Sequence, residues 1–259
     1  MTTHRKHDQS SRPITITVRS LLIAAALSLS LLVTHAPPAL AYSCGEPTPD
    51  PTGQQHCYAT VRRDAPITRT DGWLGASVAI SVTDMTCSGC DANFIDNEMW
   101  LRGPDSSNNG RYWVEAGYER IGNSGQVYFW ADWRPNSLFY GHQMGTVPAG
   151  DYYHNATFWI YRTPGWADRF SVQMISWTRS WTGLSTDNWM QVLRTDMGME
   201  LSGYSGAHAG TAFFTSRYYQ ALNTYWYLLP AWRYGDPERQ DAPTQIFQNG
   251  SDFYTYCTC

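Results

Sequence analysis

Lysine is almost missing from this chain. Of its 18 basic residues only Lys6 is a lysine, so every later fixed cation is an arginine, and none of these form a run. That excludes the basic stripe a nucleic-acid or anionic-membrane partner needs. Charge of either sign is sparse, at 15% of residues with a formal net charge of −4. Apolar runs are equally scarce: Leu21–Val33 stands out, and it is too short to serve as a stable membrane anchor. The serine-nucleophile elbow Gly-x-Ser-x-Gly is absent, which argues against that class of hydrolase. Cys87 and Cys90 form a CxxC with no second one after it. His142, His154 and His208 are scattered without ligand spacing. No metal site and no cofactor is therefore expected.

The N-terminus reads as a secretory signal. Arg5, Lys6, Arg12 and Arg19 precede the apolar run, and Ala39-Leu40-Ala41 offers small residues for cleavage. Residues 1–41 are thus expected to be removed and the remainder exported to the extracellular space. That remainder would hold 14 basic and 21 acidic residues, a formal −7. It is expected to be monomeric, with no membrane partner once the signal is gone and no nucleic-acid partner. Its six cysteines, Cys44, Cys57, Cys87, Cys90, Cys257 and Cys259, are an even set after a signal and suggest disulfides. Cys257 and Cys259 are too close in sequence to pair well with each other. They are expected to reach back to Cys44 and Cys57, while Cys87 and Cys90 close a small loop. A redox centre or half a zinc site are the other readings of that CxxC.

Strand signals follow one another from Cys57. Spans 58–62, 75–83, 98–102, 112–119, 126–133, 156–161, 170–177 and 211–215 are rich in β-branched and aromatic residues and are bounded by Gly, Asn, Asp and Pro. Asn108-Asn109-Gly110 and Asn123-Ser124-Gly125 have the chemistry of hairpin turns, which makes 98–133 a meander. Span 187–194 fits either a helical turn or a strand. The expected fold is all-β, a concanavalin-like jelly-roll β-sandwich of antiparallel strands. Its expected parts are an arm at 42–56, the sandwich at 57–230, and a polar C-terminal extension at 231–259 tied down by the last cysteines.

Two glutamates stand in similar surroundings. Glu115 lies in Trp113-Val114-Glu115-Ala116-Gly117-Tyr118, and Glu200 in Gly198-Met199-Glu200-Leu201-Ser202-Gly203-Tyr204. A carboxylate in an apolar strand is costly unless it is solvated, paired or used. Gly117, two residues on, is read as leaving open space on the same side as Glu115. Two such carboxylates facing one cleft push each other's pKa apart, so that one donates a proton while the other accepts one. Salt bridges to Arg111, Arg120 or Arg194 are the plain alternative. Glu98 is a third candidate carboxylate, with Asp132 and Gln126 as minor ones. The 12 Trp and 17 Tyr supply either core or a binding surface. Trp113, Tyr118, Tyr128 and Trp130 are the candidates for substrate contact.

Val114-Glu115-Ala116-Gly117-Tyr118 resembles the motif around the first catalytic glutamate of the neprosin-type glutamic peptidases. Tyr128-Phe129-Trp130-Ala131-Asp132-Trp133 is similar to the aromatic strand that follows it there, and to the Trp/Tyr-rich strand of the eqolisins. Met197-Gly198-Met199-Glu200-Leu201 resembles the region of the second glutamate, without the tryptophan that usually precedes it. The spacing of Glu115 and Glu200 is closer to the eqolisin pair. The resemblance implies a secreted, metal-free hydrolase that cleaves polypeptide at acid pH. One glutamate would activate water while the other, protonated, steadies the oxyanion. Glu200-Leu201-Ser202-Gly203-Tyr204-Ser205-Gly206 also resembles a stretch of the family-11 xylanases. There two glutamates cut a glycosidic bond and the substrate is a polysaccharide. The remaining alternative is a secreted carbohydrate- or protein-binding sandwich without catalysis.

Overall fold

The computed structural model describes residues 56–65, 73–87, 94–103, 112–122, 124–134, 139–166, 168–186, 192, 194–202, 207–229, 238–241, 244–249 and 252–258. All belong to one compact unit, Tyr42–Cys259. The strands in chain order are β1 His56–Asp64, β2 Trp73–Ser81, β3 Met85–Cys87, β4 Phe94–Arg102, β5 Trp113–Ile121, β6 Gln126–Trp133, β7 Phe139–Thr146 and β8 Asn155–Arg162. They continue with β9 Phe170–Ile175, β10 Ser180–Ser185, β11 Arg194–Ser202, β12 Ala207–Ala221, β13 Trp226–Leu228, β14 Glu238–Gln240, β15 Thr244–Asn249 and β16 Asp252–Thr258. One turn of 3-10 helix, Ala149–Asp151, precedes β8.

The fold is a jelly-roll sandwich of two antiparallel sheets. The first runs β14-β1-β11-β4-β5-β6-β7, and the second runs β10-β9-β8-β2-β12-β16-β15 with β3 and β13 also on β12. Period-two patterning makes the core. On β4 the residues Ile95, Asn97, Met99 and Leu101 point inward. On β11 these are Thr195, Met197, Met199 and Leu201, and on β5 Val114, Ala116 and Tyr118. They meet Val78, Ile80, Phe158, Ile160, Phe214 and Phe253 of the second sheet, all fully buried. Each large apolar side chain so buried contributes roughly 1.5–3 kcal/mol.

A polar relay crosses that core. The Tyr118 hydroxyl donates to the Ser81 carbonyl at 2.9 Å and accepts from Asn97 Nδ2 at 3.1 Å. Thr255 Oγ1 donates to Asn97 Oδ1 at 2.7 Å. Every buried polar atom of this relay has a partner, so it ties the sheets together at little desolvation cost.

Three expectations change. The chain beyond 237 is not an appended extension: β14 pairs with β1, while β15 and β16 complete the second sheet and bury Ile246, Phe253 and Thr255. Gln245, Tyr254 and Tyr256 are the outward half of an alternating pattern. The strand expected at 211–215 is the fifteen-residue β12, the spine of the second sheet. Of the undecided span 187–194, Val192 bridges to Trp73 and Arg194 opens β11; the rest lies outside the described residues. Cys57 and Cys257 are fully buried and each is held in a disulfide. The pairings expected for them, and the Cys87–Cys90 loop, fall on side chains outside the described residues.

Candidate active site

Alternation that sends Ile95, Met99 and Leu101 inward sends Asp96, Glu98, Trp100 and Arg102 to the opposite face of the first sheet. Antiparallel register then assembles the neighbours. Asp96 sits between Glu119 of β5 and Glu200 of β11, and Glu98 between Gly117 and Gly198. Trp100 sits between Glu115 and Asp196. On β1, Tyr58 lies beside Glu200 and Arg62 beside Asp196. Glu115 and Glu200 therefore share one face, on strands two apart and offset by four residues of β4. Ideal sheet spacings put their Cα positions about 10 Å apart across the strands and about 13 Å along them. Glu98 lies between them.

Gly117 does not leave open space, contrary to the sequence expectation. A Cβ there would lie 2.2 Å from the Asn97 carbonyl oxygen and 2.6 Å from Glu98 Cβ. At Gly198 it would lie 2.0 Å from the Ala59 carbonyl oxygen. Gly117 lets β5 close tightly against Glu98 of β4, and Gly198 lets β11 close against β1.

The carboxylates are buried in a graded way. Glu98 and Asp96 are 1% and 2% exposed, while Glu200 and Glu115 are 7% and 9% exposed. The outer pair is the less deeply buried of the two. Asp96 hydrogen-bonds Glu98 and accepts from the Glu200 backbone N–H at 3.0 Å. Glu98 Oε2 is buried with no hydrogen-bond partner. Glu115 accepts from the Trp100 side chain. Glu200 is held by His56, whose Nδ1 meets its Oε1, and by the Tyr58 hydroxyl.

Cations are few and mostly spoken for. Asp196 gathers Arg62, Arg102 and Arg194, with Nε–Oδ distances of 3.2, 2.7 and 3.4 Å. Burial works against the Arg102 charge, but Asp196, Tyr58, Glu200 and Glu115 outweigh it and raise its pKa. The acids are driven the other way. Burial, then the Glu200 charge, raises Glu115 well above the usual carboxylate range. Burial, then Glu200 and Glu115, does the same to Asp96; burial, then Asp96 and Glu115, does so to Glu98. Burial alone lifts Glu119 to about 7. Burial, followed by Glu200, raises the Tyr58 phenol as well. Asp96, Glu98 and Glu200 offer oxygens within 4.8 Å of one another, a spacing at which carboxylates must share protons or a cation.

The aromatic candidates divide. Trp113 stays on the carboxylate face, half-buried at one end against Trp133 and Phe139. Tyr118, Tyr128 and Trp130 point away from it into the core cluster. Tyr118 anchors the inter-sheet relay, and Tyr128 donates to buried Asp151 Oδ2 at 2.9 Å. Trp130 stacks on His142 with ring centroids 4.0 Å apart. In these positions they are packing residues and do not face a substrate at Glu115. Asp132 is fully buried and held by Ser185 and Arg134. Gln126 bridges the Met85 N–H and the Thr83 carbonyl, each at 2.9 Å. Both are structural. His154 stacks on Trp177, and His208 is exposed on β12. Asp96, His56, Tyr58 and Arg102 were absent from the sequence candidates. The signal for them was the alternation of Asp96-Asn97-Glu98 and His56-Cys57-Tyr58 in strands that begin earlier than expected.

No protein-family model and no curated protein sequence matches the chain. Solved structures do. Scytalido-glutamic peptidase, bound to a peptide-based transition-state analogue, superposes over 78% of this chain and 98% of its own, with a TM-score of 0.50 and 9% identity. In fold, the chain is similar to a glutamic peptidase. SCP-B of the eqolisin family, in complex with the tripeptide Ala-Ile-His, covers the same shares at a TM-score of 0.49 and 9% identity. A Bacillus licheniformis β-glucanase covers 69% of this chain and 88% of its own, at a TM-score of 0.37 and 13% identity.

Proposed function

We propose that the carboxylate face is the active site of a hydrolase that cleaves peptide bonds in acid, in the manner of the glutamic peptidases. One observation carries this reading. Asp96, Glu98, Glu115 and Glu200 are buried together on one sheet face, and the nearby Arg102 is already engaged by Asp196. Buried acids that outnumber the cations described beside them cost stability. A surface selected for stability alone would not retain them, whereas sites of proton transfer are built from such groups. The non-catalytic alternative calls for exposed aromatics without converging carboxylates, and the close set Asp96, Glu98 and Glu200 speaks against it.

In this mechanism Glu200, steadied by His56 and Tyr58, takes a proton from water as the water attacks the scissile carbonyl. Glu115, kept protonated by burial and by the Glu200 charge, donates a hydrogen bond to the developing oxyanion. Asp96 and Glu98 hold protons beneath the pair and keep the local field from becoming prohibitively negative. Trp113 borders the face and offers an apolar contact for a substrate side chain. The secretory leader expected at residues 1–41 would make this a secreted enzyme. The neprosin-like motif at Glu115 and the eqolisin-like fold point to the same chemistry.

The close set Asp96, Glu98 and Glu200 favours one second reading. Oxygens within 4.8 Å of one another approach the spacing of about 5–5.5 Å between the carboxylates of retaining glycosidases. The test is to incubate the secreted protein, with a chelator present, with an unfolded protein and separately with xylan from pH 3 to 7. New amino termini appearing on the acid side support the peptidase. Reducing ends from xylan replace it with the glycosidase, and neither product removes both.

A further inference from the structure

The outer face of the second sheet, on the far side of the core from the carboxylates, has a different character. Outward positions of β2, β8, β9 and β10 hold only Gly, Ala, Ser, Thr, Asn, Gln, Ile, Leu, Trp and Tyr. On β12, β15 and β16 the outward acidic and imidazole side chains among the described residues, Asp252 and His208, lie at the ends of strands. Among the polar residues of this face stand two aromatic clusters, in which Trp226, Phe213 and Phe247 are exposed and Tyr161 and Tyr254 half-buried. In the first, the Trp226 and Tyr161 rings meet edge to face at 6.1 Å above Gly75 and Gln220. In the second, Phe213 and Phe247 flank Tyr254 at 5.5 and 5.4 Å. The register of β2 separates the clusters by about six residues, roughly 20 Å.

A polar atom marks the first cluster as more than an apolar patch. Gln220 is 8% exposed, and its Nε2 donates to the Thr224 carbonyl at 3.1 Å. That bond fixes the amide orientation and leaves Oε1 buried with no partner. A buried acceptor without a donor is costly, and a ligand hydroxyl would relieve that cost. Gln173 stands close by and donates to the Tyr161 hydroxyl at 2.8 Å.

From this face we infer a second binding site, distinct from the carboxylate face, that takes a neutral polysaccharide. Flat rings accept the C–H faces of sugars, and amide and hydroxyl groups pair with sugar hydroxyls. The scarcity of charge among the described residues of this face selects against anionic polymers. Two clusters roughly 20 Å apart suit a polymer rather than a single sugar. The site is independent of the peptidase reading. It would hold the enzyme on a glycan-rich matrix while the other face works on protein.

The test is retention on cellulose, xylan and mixed-linkage β-glucan at low and high salt, with polygalacturonate as the anionic control. The expected result is binding to at least one neutral polymer, insensitive to salt. Trp226→Ala and Phe247→Ala, both at exposed positions and checked for folding by circular dichroism, should each weaken it about tenfold. Retention on none of the neutral polymers, retention only on polygalacturonate, or equal retention of both variants overturns the site. A dimer seen by ultracentrifugation that Trp226→Ala dissolves would also overturn it, by making a second copy the occupant.

Discussion

Glu119 allows the strain on the carboxylate face to be measured as stability. It lies on β5 beside Asp96, and burial lifts its carboxyl from 4.5 to about 7. An acid raised in the folded state binds more protons there than in the unfolded chain between those two values. Its contribution is therefore intact below the unfolded value and is lost as pH rises through the folded one. At about 1.4 kcal/mol for each tenfold step, keeping it ionised at pH 8 costs roughly 3 kcal/mol. Glu119→Gln keeps the shape and removes that cost. The variant should unfold at higher urea than the parent at pH 8, and the gap should close at pH 4. In melting temperature, roughly 3 kcal/mol corresponds to about 6–12 °C for a domain of this size. Equal stabilities at pH 8, or a gap that persists at pH 4, would refute the reasoning.

Other substitutions separate the site from its scaffold. Tyr128→Phe deletes the hydrogen bond to Asp151 and should cost about 1–3 kcal/mol in urea unfolding while leaving hydrolysis unchanged; a selective loss of activity would return Tyr128 to the site. Gly117→Ala forces a Cβ to within 2.6 Å of Glu98 Cβ. It should cost about 1–3 kcal/mol and lower activity as well, and a neutral outcome in both assays would show that β5 yields easily. His56→Phe removes the partner of Glu200 while keeping a ring against Phe94. It should lower kcat more than it raises KM, whereas a change in KM alone would make His56 a substrate contact.

Much of the fold was legible because period-two patterning is a direct consequence of a sandwich. The span read as 126–133 is β6 residue for residue. β11 escaped notice because Arg-Thr-Asp-Met-Gly-Met-Glu-Leu-Ser has no aromatic and only one β-branched residue, Thr195, although its Met197, Met199 and Leu201 alternate cleanly. β4 was truncated because Asp96 and Asn97 read as loop residues. One turned out to be a site carboxylate and the other a core amide satisfied by Tyr118 and Thr255. The site was legible at Glu115 and Glu200, whose apolar surroundings are local. Glu98 was legible as a third carboxylate, but Asp96, His56, Tyr58 and Arg102 were not, because they converge only through register. Tyr118, Tyr128 and Trp130 were misplaced for the converse reason: aromatic composition does not say which face of a strand meets solvent. Tyr118 sits on the opposite parity to Glu115, and that alone foretold its burial.

The most direct test of the central claim is the rate of peptide-bond cleavage in an unfolded protein substrate at acid pH, compared among the parent, Glu115→Gln and Glu200→Gln. The carboxylate-pair account predicts cleavage by the parent that falls as pH approaches neutrality. It also predicts a loss of at least about a hundredfold in each variant, with both variants still folded. Cleavage by both variants at the parental rate would contradict it.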